Sequence, residues 1–176
     1  MKYAKSICVL LFILCTLKGS AQSGISLETA KDDYCTYIKP TLLNISLLLF
    51  ATNEQYVKLL ESYGYIKAAS GGDYNYMAAA DPVNHYRLIY KDDRILMMTF
   101  SPNNVSMIST FRNDIKQILK DAVVEYEDGY ETYRLMIPFD GMKFKVLFRL
   151  KDETVTNTIA GRTITFNSGV IMAIIK

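Results

Sequence analysis

The sequence predicts an α+β fold in which two or three α-helices cover one face of an antiparallel β-sheet. Two stretches place apolar residues at helical spacing, and strand-like segments follow each of them. Asp-Gly pairs join several of those segments, and Asp-Gly is one of the strongest short signals for a β-hairpin. We therefore expect a β-meander in the second half of the chain.

Residues 1–21 predict a cleavable signal peptide. Lys2 and Lys5 form a basic start, residues 7–17 are almost entirely apolar, and small residues lead up to Ala21. An apolar stretch of about 11 residues is too short for a lasting transmembrane helix, which takes roughly 20. We expect cleavage after Ala21 and a role for the membrane in export only.

Two other outcomes for this leader are less favoured, namely a retained anchor and a lipid anchor at Cys15. A lipidated Cys usually follows a small residue and has Leu three positions before it, whereas Leu14 and Phe12 occupy those places. The sequence thus predicts a bacterial-type exported protein, secreted or periplasmic. It does not distinguish these two locations.

Cleavage changes the charge of the chain. The full sequence has a net charge of +2, but residues 1–21 hold three Lys and no acid. The mature chain keeps 17 Lys and Arg against 18 Asp and Glu, a net charge of −1. A nearly neutral domain lacks the basic surface that nucleic acid requires, so we expect no nucleic-acid partner.

The first elements after the leader are an N-terminal arm and two helices. Residues 22–40 predict a loose arm, and residues 41–176 predict a single globular domain. The apolar residues 41–50 predict a buried helix. Thr52 to Gln55 matches a capping box that opens a second helix, and Gly64 suits its end.

The middle of the chain predicts a hairpin and another helix. Residues 65–84 are ambiguous, with residues 70–80 read as an inserted loop. Alternation from Tyr86 to Phe100 predicts a hairpin, and the apolar spacing over residues 104–121 predicts an amphipathic helix.

The last part of the chain predicts strands only. Three strands cover residues 123–127, 130–138 and 142–150. Residues 152–161 predict a polar connection. Residues 162–166 and 170–175 then predict a final hairpin with its turn at residues 167–169.

The element order suggests two α-β-β-β-like halves, because Tyr86-Arg87-Leu88 recurs as Tyr133-Arg134-Leu135. The sequence leaves open whether this is a duplication or chance. In order of elements, the layout resembles the tandem helix and antiparallel sheet of the β-lactamase inhibitory proteins. No motif of that family is present, so none of its residues or its activity is carried over.

Catalytic, metal and cofactor sites are not predicted. His85 is the only histidine, and Cys35 is the only cysteine outside the leader. We interpret Cys35 as a small buried hydrophobe and His85 as an ordinary residue at a strand edge. A zinc site of His and Cys ligands needs more than these two residues, and no phosphate-binding glycine motif or calcium loop is present.

Acidic residues offer an alternative function, a small secreted hydrolase with paired carboxylates. The candidates are Asp32-Asp33, Asp92-Asp93 and the group Glu125, Glu127, Asp128 and Glu131. Most of them fall in predicted turns, where Asp is common for conformational reasons. An enzyme is therefore the less favoured hypothesis.

Tyrosine is the most unusual feature of the composition, with 13 residues and no Trp. Tyrosine gives a large amphipathic contact surface, so a surface cluster would suit binding of a protein or a glycan. The candidate residues are Tyr63, Tyr65, Tyr74 and Tyr76. The favoured hypothesis is a non-enzymatic exported module that binds or inhibits a partner, or is associated with the envelope. The partner and the oligomeric state are not predicted.

Overall fold

The computed structural model describes residues 26–69, 72–80, 85–91, 94–101, 105–118, 124–159 and 161–176. This part of the chain contains three α-helices, an eight-stranded antiparallel sheet and a separate two-stranded sheet. The predicted α+β class is confirmed. The predicted signal peptide lies outside the described residues. No described helix is both long and apolar enough to cross a membrane.

The helices are α1 (Leu42–Phe50), α2 (Asn53–Ser62) and α3 (Val105–Ile118). The predicted capping box of α2 is confirmed, since Thr52 Oγ1 accepts from Gln55 N at 3.3 Å and Thr52 N donates to Gln55 Oε1 at 3.0 Å. Gly64 follows α2 with φ of +80°, which only glycine adopts without strain.

The strands of the two sheets are β1 (Thr29–Lys31), β2 (Thr36–Ile38), β3 (Ile66–Lys67), β4 (Asn75–Ala80), β5 (His85–Lys91), β6 (Ile95–Ser101), β7 (Glu125–Glu127), β8 (Tyr130–Phe139), β9 (Met142–Ile159) and β10 (Arg162–Ile175). β1 and β2 pair with each other and form the N-terminal hairpin. The large sheet has the order β3-β4-β5-β6-β10-β9-β8-β7.

This order joins two similar halves. α1 and α2 precede the meander β3 to β6, and α3 precedes the meander β7 to β10. The last strands of the two meanders pair antiparallel at the centre of the sheet. The recurring tripeptides are not equivalent in this layout, because Tyr86 lies on the third strand of its half and Tyr133 on the second. The halves therefore share an order of elements without sharing this motif.

The two predicted Asp-Gly hairpins are confirmed. Asp128-Gly129 joins β7 to β8, and Asp140-Gly141 joins β8 to β9. All four residues have positive φ, between 52° and 77°. Positive φ at both central positions is the type I′ turn, whose twist matches that of the strands on either side.

All three helices pack on one face of the large sheet. Aromatic contacts mark this face, with Phe50 of α1 stacked 4.5 Å from Phe139 and Phe111 of α3 5.5 Å from Phe148. Tyr56 of α2 meets Tyr76 edge to face. The fully buried side chains beneath the helices form one hydrophobic core.

Four expectations about local structure are wrong. The loose arm is packed from residue 26 onward, with Leu27 and Ile38 only 4% and 1% exposed. Residues 75–80 form β4 rather than part of an inserted loop. Residues 152–159 belong to β9, which ends at Ile159, and residues 167–169 lie inside β10, which begins at Arg162. The alternating threonines of residues 154–158 favour a strand, because β-branched residues suit the pleat even where their side chains are exposed.

Asn44 connects the N-terminal hairpin to the core. Its side chain is fully buried, and its Oδ1 accepts from Glu28 N at 3.1 Å. Its Nδ2 donates to Glu28 O at 2.8 Å and to Lys39 O at 2.9 Å. One amide thus satisfies three backbone groups on either side of the hairpin.

Asn44→Ala should lower the free energy of unfolding by about 2–4 kcal/mol, because three partly buried backbone groups lose their partner. Urea unfolding followed by circular dichroism measures the change. Asn113→Ala, at an exposed position on α3, is the control and should stay within about 0.5 kcal/mol of the native chain. Equal stability of the two variants would contradict the role of Asn44.

Candidate functional site

The large sheet has a second face, opposite the helices, which we call the helix-free face. Successive side chains of a strand point to opposite faces of the sheet, so Met98 points to the core and Met97 points to the helix-free face. The described helices all lie on the other side. The helix-free face is therefore the largest surface of the sheet that the described helices leave uncovered.

An apolar band crosses the helix-free face over β6, β10, β9 and β8. Cross-strand pairing places Met97 beside Met172 and Ile95 beside Ile174, and Ile174 beside Leu147. Four strands at their usual spacing give the band a width of about 15 Å. The residues of the band are Ile95, Met97, Met136, Leu147, Val170, Met172 and Ile174.

The exposure of the band varies along it. Met136 is 59% exposed, whereas Leu147 and Val170 are 9% and 6% exposed. Met97 and Met172 are half-buried by their neighbours in the sheet. Met side chains are flexible and polarisable, so they adapt to apolar partners of different shapes.

Basic residues lie beside the apolar band on β5 and among its members on β8 and β9, and we call them its basic border. Arg87 on β5 pairs with Thr99 on one side of the band, and Arg149 on β9 pairs with Met172 within it. The Arg149 guanidinium carbon lies 4.5 Å from the centroid of the Tyr130 ring, and Lys151 Nζ lies 5.5 Å from the same centroid. The remaining basic residues of this border are Arg134 and Lys145.

Two arginines of this border have an unsatisfied atom. The Nε atoms of Arg87 and Arg149 are buried and have no hydrogen-bond acceptor among the described residues. Most buried donors in folded proteins are paired, and an unpaired one costs about 1–3 kcal/mol.

The four tyrosines predicted to bind do not form a surface cluster. Tyr65 and Tyr76 are each only 3% exposed and belong to the core. Tyr63 and Tyr74 are half-buried and pack against the same core. Burial of two members removes the shared contact surface that the sequence suggested. A binding role for Tyr63 or Tyr74 alone stays a prediction.

Three tyrosines instead fasten the N-terminal segment to the domain. Leu27 N donates to the Tyr63 hydroxyl at 2.7 Å, and Ile38 N donates to the Tyr65 hydroxyl at 3.0 Å. The Tyr86 hydroxyl donates to Asp32 Oδ2 at 2.6 Å. Their role is therefore structural, because each supplies the polar partner that a backbone group or a carboxylate of the segment needs.

Asp32 is the most strongly bonded acid of the N-terminal hairpin. Its Oδ1 accepts from Tyr34 N and Cys35 N at 2.8 and 2.9 Å, while its Oδ2 accepts from Tyr86. Burial alone would raise the pKa of Asp32, but these hydrogen bonds together hold it below its ordinary value. The carboxylate is thus kept charged as a structural acceptor.

The same carboxylate affects Cys35, which is a free, half-buried thiol. Burial and the charge of Asp32 both raise the pKa of Cys35. A nucleophilic cysteine needs a lowered pKa, so this environment is unsuited to one. His85 begins β5, and its side chain lies outside the described part of the structure.

Three of the eight acids proposed for hydrolysis contact arginines. Arg112 Nε contacts both oxygens of Glu131, at 3.0 and 2.7 Å, and the Tyr133 hydroxyl also donates to Glu131. On the other side of this hairpin, Arg134 bonds Glu125, and Arg149 Nη2 lies 3.3 Å from Asp128. The carboxylates of these three acids therefore serve as acceptors for neighbouring arginines. Asp92 and Asp93 lie outside the described residues.

Cofactor and metal binding find no support in the described geometry. Within the described residues, no group of three His, Cys, Asp or Glu side chains is placed to hold a metal ion. A cavity of about 270 Å³ lies where α3 meets β9 and β10, lined in part by Arg112, Asp152 and Asn167. Its volume is just below the usual range for small-molecule pockets, and six of its seven lining residues are polar or charged.

The helix-free face was not predicted, although the sequence carries a sign of it. β6 and β10 contain continuous apolar runs, such as residues 95–98 and 170–175, rather than an alternation. A strand of this kind is apolar on both faces. Packing on the core explains only the side chains on one face, which are half of the total.

Comparison with known proteins gives no match: no protein-family model, no curated protein and no solved structure is significantly similar to this chain.

Asp32→Asn should destabilise the fold at pH 7 by about 1 kcal/mol, because a charged acceptor of three hydrogen bonds becomes neutral. The native pKa lies below the ordinary value of 3.8, so this stabilisation is present above that value and is lost as the pH falls through the folded-state pKa. Unfolding curves from pH 7 to pH 2.5 should show the difference shrinking below about pH 4. The exposed neighbour Asp33→Asn is the control, and a constant difference between Asp32→Asn and the native chain at all pH values would contradict the assignment.

Proposed function

We propose that this protein is an exported, non-enzymatic binding module whose helix-free face contacts a protein partner. The observation that carries the proposal is the apolar band across four central strands together with its basic border. Contiguous apolar patches on a soluble protein are typical of interaction sites.

The composition of the band favours a protein over a glycan as the partner. Its members are aliphatic and Met side chains, which contribute contact area without hydrogen bonds. Protein interfaces likewise combine an apolar centre, rich in Met and aromatic residues, with a polar rim containing Arg. The Tyr130 ring beneath Arg149 supplies the aromatic part of such a rim.

The border also restricts the charge of the partner. Arg87, Arg134 and Lys145 lie on the helix-free face, and we expect acidic groups of the partner around an apolar centre. Such rim charges mainly accelerate association and are weakened by salt. Binding should therefore be faster at low ionic strength.

The hydrogen-bond partners of the acids and the raised pKa of Cys35 support a non-enzymatic role. Glu131 is held by Arg112 and Tyr133, and Asp32 by Tyr86 and two backbone N–H groups. Each carboxylate accepts hydrogen bonds that hold the fold together, and the pKa of Asp32 is lowered, whereas a general acid in a hydrolase needs a raised one.

Export is supported by the sequence of the leader alone. Its basic start, short apolar stretch and small residues before position 22 are the parts of a signal peptide. A binding module of near-neutral charge would then meet its partner in the periplasm or outside the cell.

Met136→Asp should weaken partner binding about tenfold, because it places a charge within the apolar band. Met142→Asp is the matched control, since Met136 and Met142 are 59% and 58% exposed and Met142 lies outside the band. Chemical crosslinking in the producing cell, followed by affinity purification, measures the recovered partner. We expect about tenfold less partner with Met136→Asp, and unfolding energies within about 0.5 kcal/mol for both variants. Equal recovery with both variants would contradict the proposed surface.

Mass spectrometry of the protein from the producing cell tests its export. The expected mature chain begins at Gln22, recovered from the periplasm or the medium. Recovery of cytosolic protein with residues 1–21 intact would contradict export while leaving the binding surface untouched.

A further inference from the structure

β9 and β10 extend beyond the rest of the large sheet as a two-stranded ribbon, which we call the β9–β10 ribbon (residues 152–159 and 162–168). The pairing of β8 with β9 ends at Leu150, and the pairing of β6 with β10 ends at Gly169. Beyond these residues, the two strands pair only with each other among the described strands. A lone two-stranded ribbon is marginally stable in water, so a role for this extension needs an explanation.

The two sides of the ribbon differ in chemistry. On one side, Thr156 Oγ1 lies 3.1 Å from Thr165 Oγ1, and Thr154 Oγ1 lies 3.2 Å from Asn167 Oδ1. On the other side, Val155 pairs with Phe166, and both are half-buried. The ribbon is therefore ordered by cross-strand side-chain pairs on both sides.

The outer strands of the large sheet are protected against pairing with another chain. β3 has two residues and includes Lys67, and β7 has three residues of which Glu125 and Glu127 are charged. Short, charged edge strands are the usual natural defence against edge-to-edge contact.

The β9 edge of the ribbon lacks this protection. Residues 154–159 read Thr-Val-Thr-Asn-Thr-Ile, with no charge, no Pro and no Gly. Six residues offer an edge of about 20 Å with open backbone N–H and C=O groups. The same protein that shields its outer strands thus leaves this edge without a partner strand among the described strands.

We propose that this edge pairs antiparallel with the same edge of a second copy of this chain, around a two-fold axis at Thr156. A two-fold interface brings identical edges together, and residues 154–158 are nearly symmetric about Thr156. Thr154 of one copy then lies opposite Thr158 of the other, and Thr–Thr is a favourable cross-strand pair. The two ribbons form one four-stranded sheet between the two domains.

The charges around the ribbon fit this register. Glu153 of one copy lies opposite residue 159 of the second copy, which is paired within its own ribbon to Arg162. Each end of the interface therefore brings an acid and a base within two strands of each other, and the acids do not face each other. Glu153 also contacts Lys151 of its own strand at 3.0 Å, so this register opposes no like charges, and a second copy can pair along the edge without repulsion.

The interface is separate from the helix-free face that carries the proposed function. Met136 is on β8, whose pairing with β9 ends before the ribbon begins. Self-association and partner binding are thus independent, and Met136→Asp should leave the dimer unchanged.

Analytical ultracentrifugation of the full chain, as processed by the producing cell, tests the proposal. We expect a monomer–dimer equilibrium with a dissociation constant between about 1 and 100 μM, as befits a small interface. Thr156→Lys places two lysines opposite each other at the axis and should raise this constant about fivefold or more. Thr165→Lys is the matched control, because Thr165 pairs with Thr156 in the same ribbon but lies one strand away from the interface.

Crosslinking of single cysteines in a Cys35→Ser background gives a second measurement. A short bismaleimide should join two copies of Thr156→Cys efficiently and two copies of Thr165→Cys poorly. A chain that is monomeric at about 0.5 mM overturns the proposal. A dimer that Thr165→Lys weakens as much as Thr156→Lys, or that Met136→Asp disrupts, also overturns it. These outcomes concern the dimer and not the recovery of a partner on the helix-free face. The dimer and the binding function can therefore be contradicted separately.

Discussion

The antiparallel pairing of β6 with β10 is the constraint on which the rest of the structure depends. It joins the two meanders into one sheet, with Met98 beside Ile171 and Leu96 beside Ala173 on the core face. These strands are central, so each pairs with a neighbouring strand along both of its edges, and the sequence fills both of their faces with apolar residues. The core beneath the helices and the apolar band opposite it are therefore two products of the same pair of strands.

The N-terminal hairpin shows how polar groups fix a short segment on such a core. Its strands have only three residues each, too few for a stable sheet of their own. Asn44, Tyr63, Tyr65 and Tyr86 supply hydrogen bonds to it, and the Tyr37 ring stacks 4.0 Å from that of Tyr86. Tyrosine suits this task because its ring packs in the core while its hydroxyl meets a polar group at the boundary. The high tyrosine content thus has a structural explanation for these residues.

Local signals in the sequence predicted the elements that are determined locally. The capping box at Thr52, the end of α2 at Gly64 and the turn at Asp140-Gly141 follow from the conformational preferences of a few adjacent residues. The predicted order of helices and hairpins was also sufficient to predict the fold class.

Features that depend on distant partners were not predictable in this way. The polar residues 154–158 suggested a connection, but their partner strand 162–168 makes them a ribbon. Ser168 and Gly169 suggested a turn, but both lie within β10. Ser168 Oγ donates to Phe100 O, and Gly169 pairs with Phe100 of β6. The burial of Tyr65 and Tyr76 likewise depended on which strands and helices would cover them.

The position of β10 in the chain also determines when the sheet can assemble. β10 is the last strand of the sheet in chain order and occupies its centre, so the first meander ends at an unpaired β6 until β10 has been synthesised. Its pairing with β6 closes a long loop, and such non-local contacts form slowly. During synthesis the nascent polypeptide therefore keeps an apolar strand edge open, which makes it a substrate for chaperones and delays compaction until its final strand emerges.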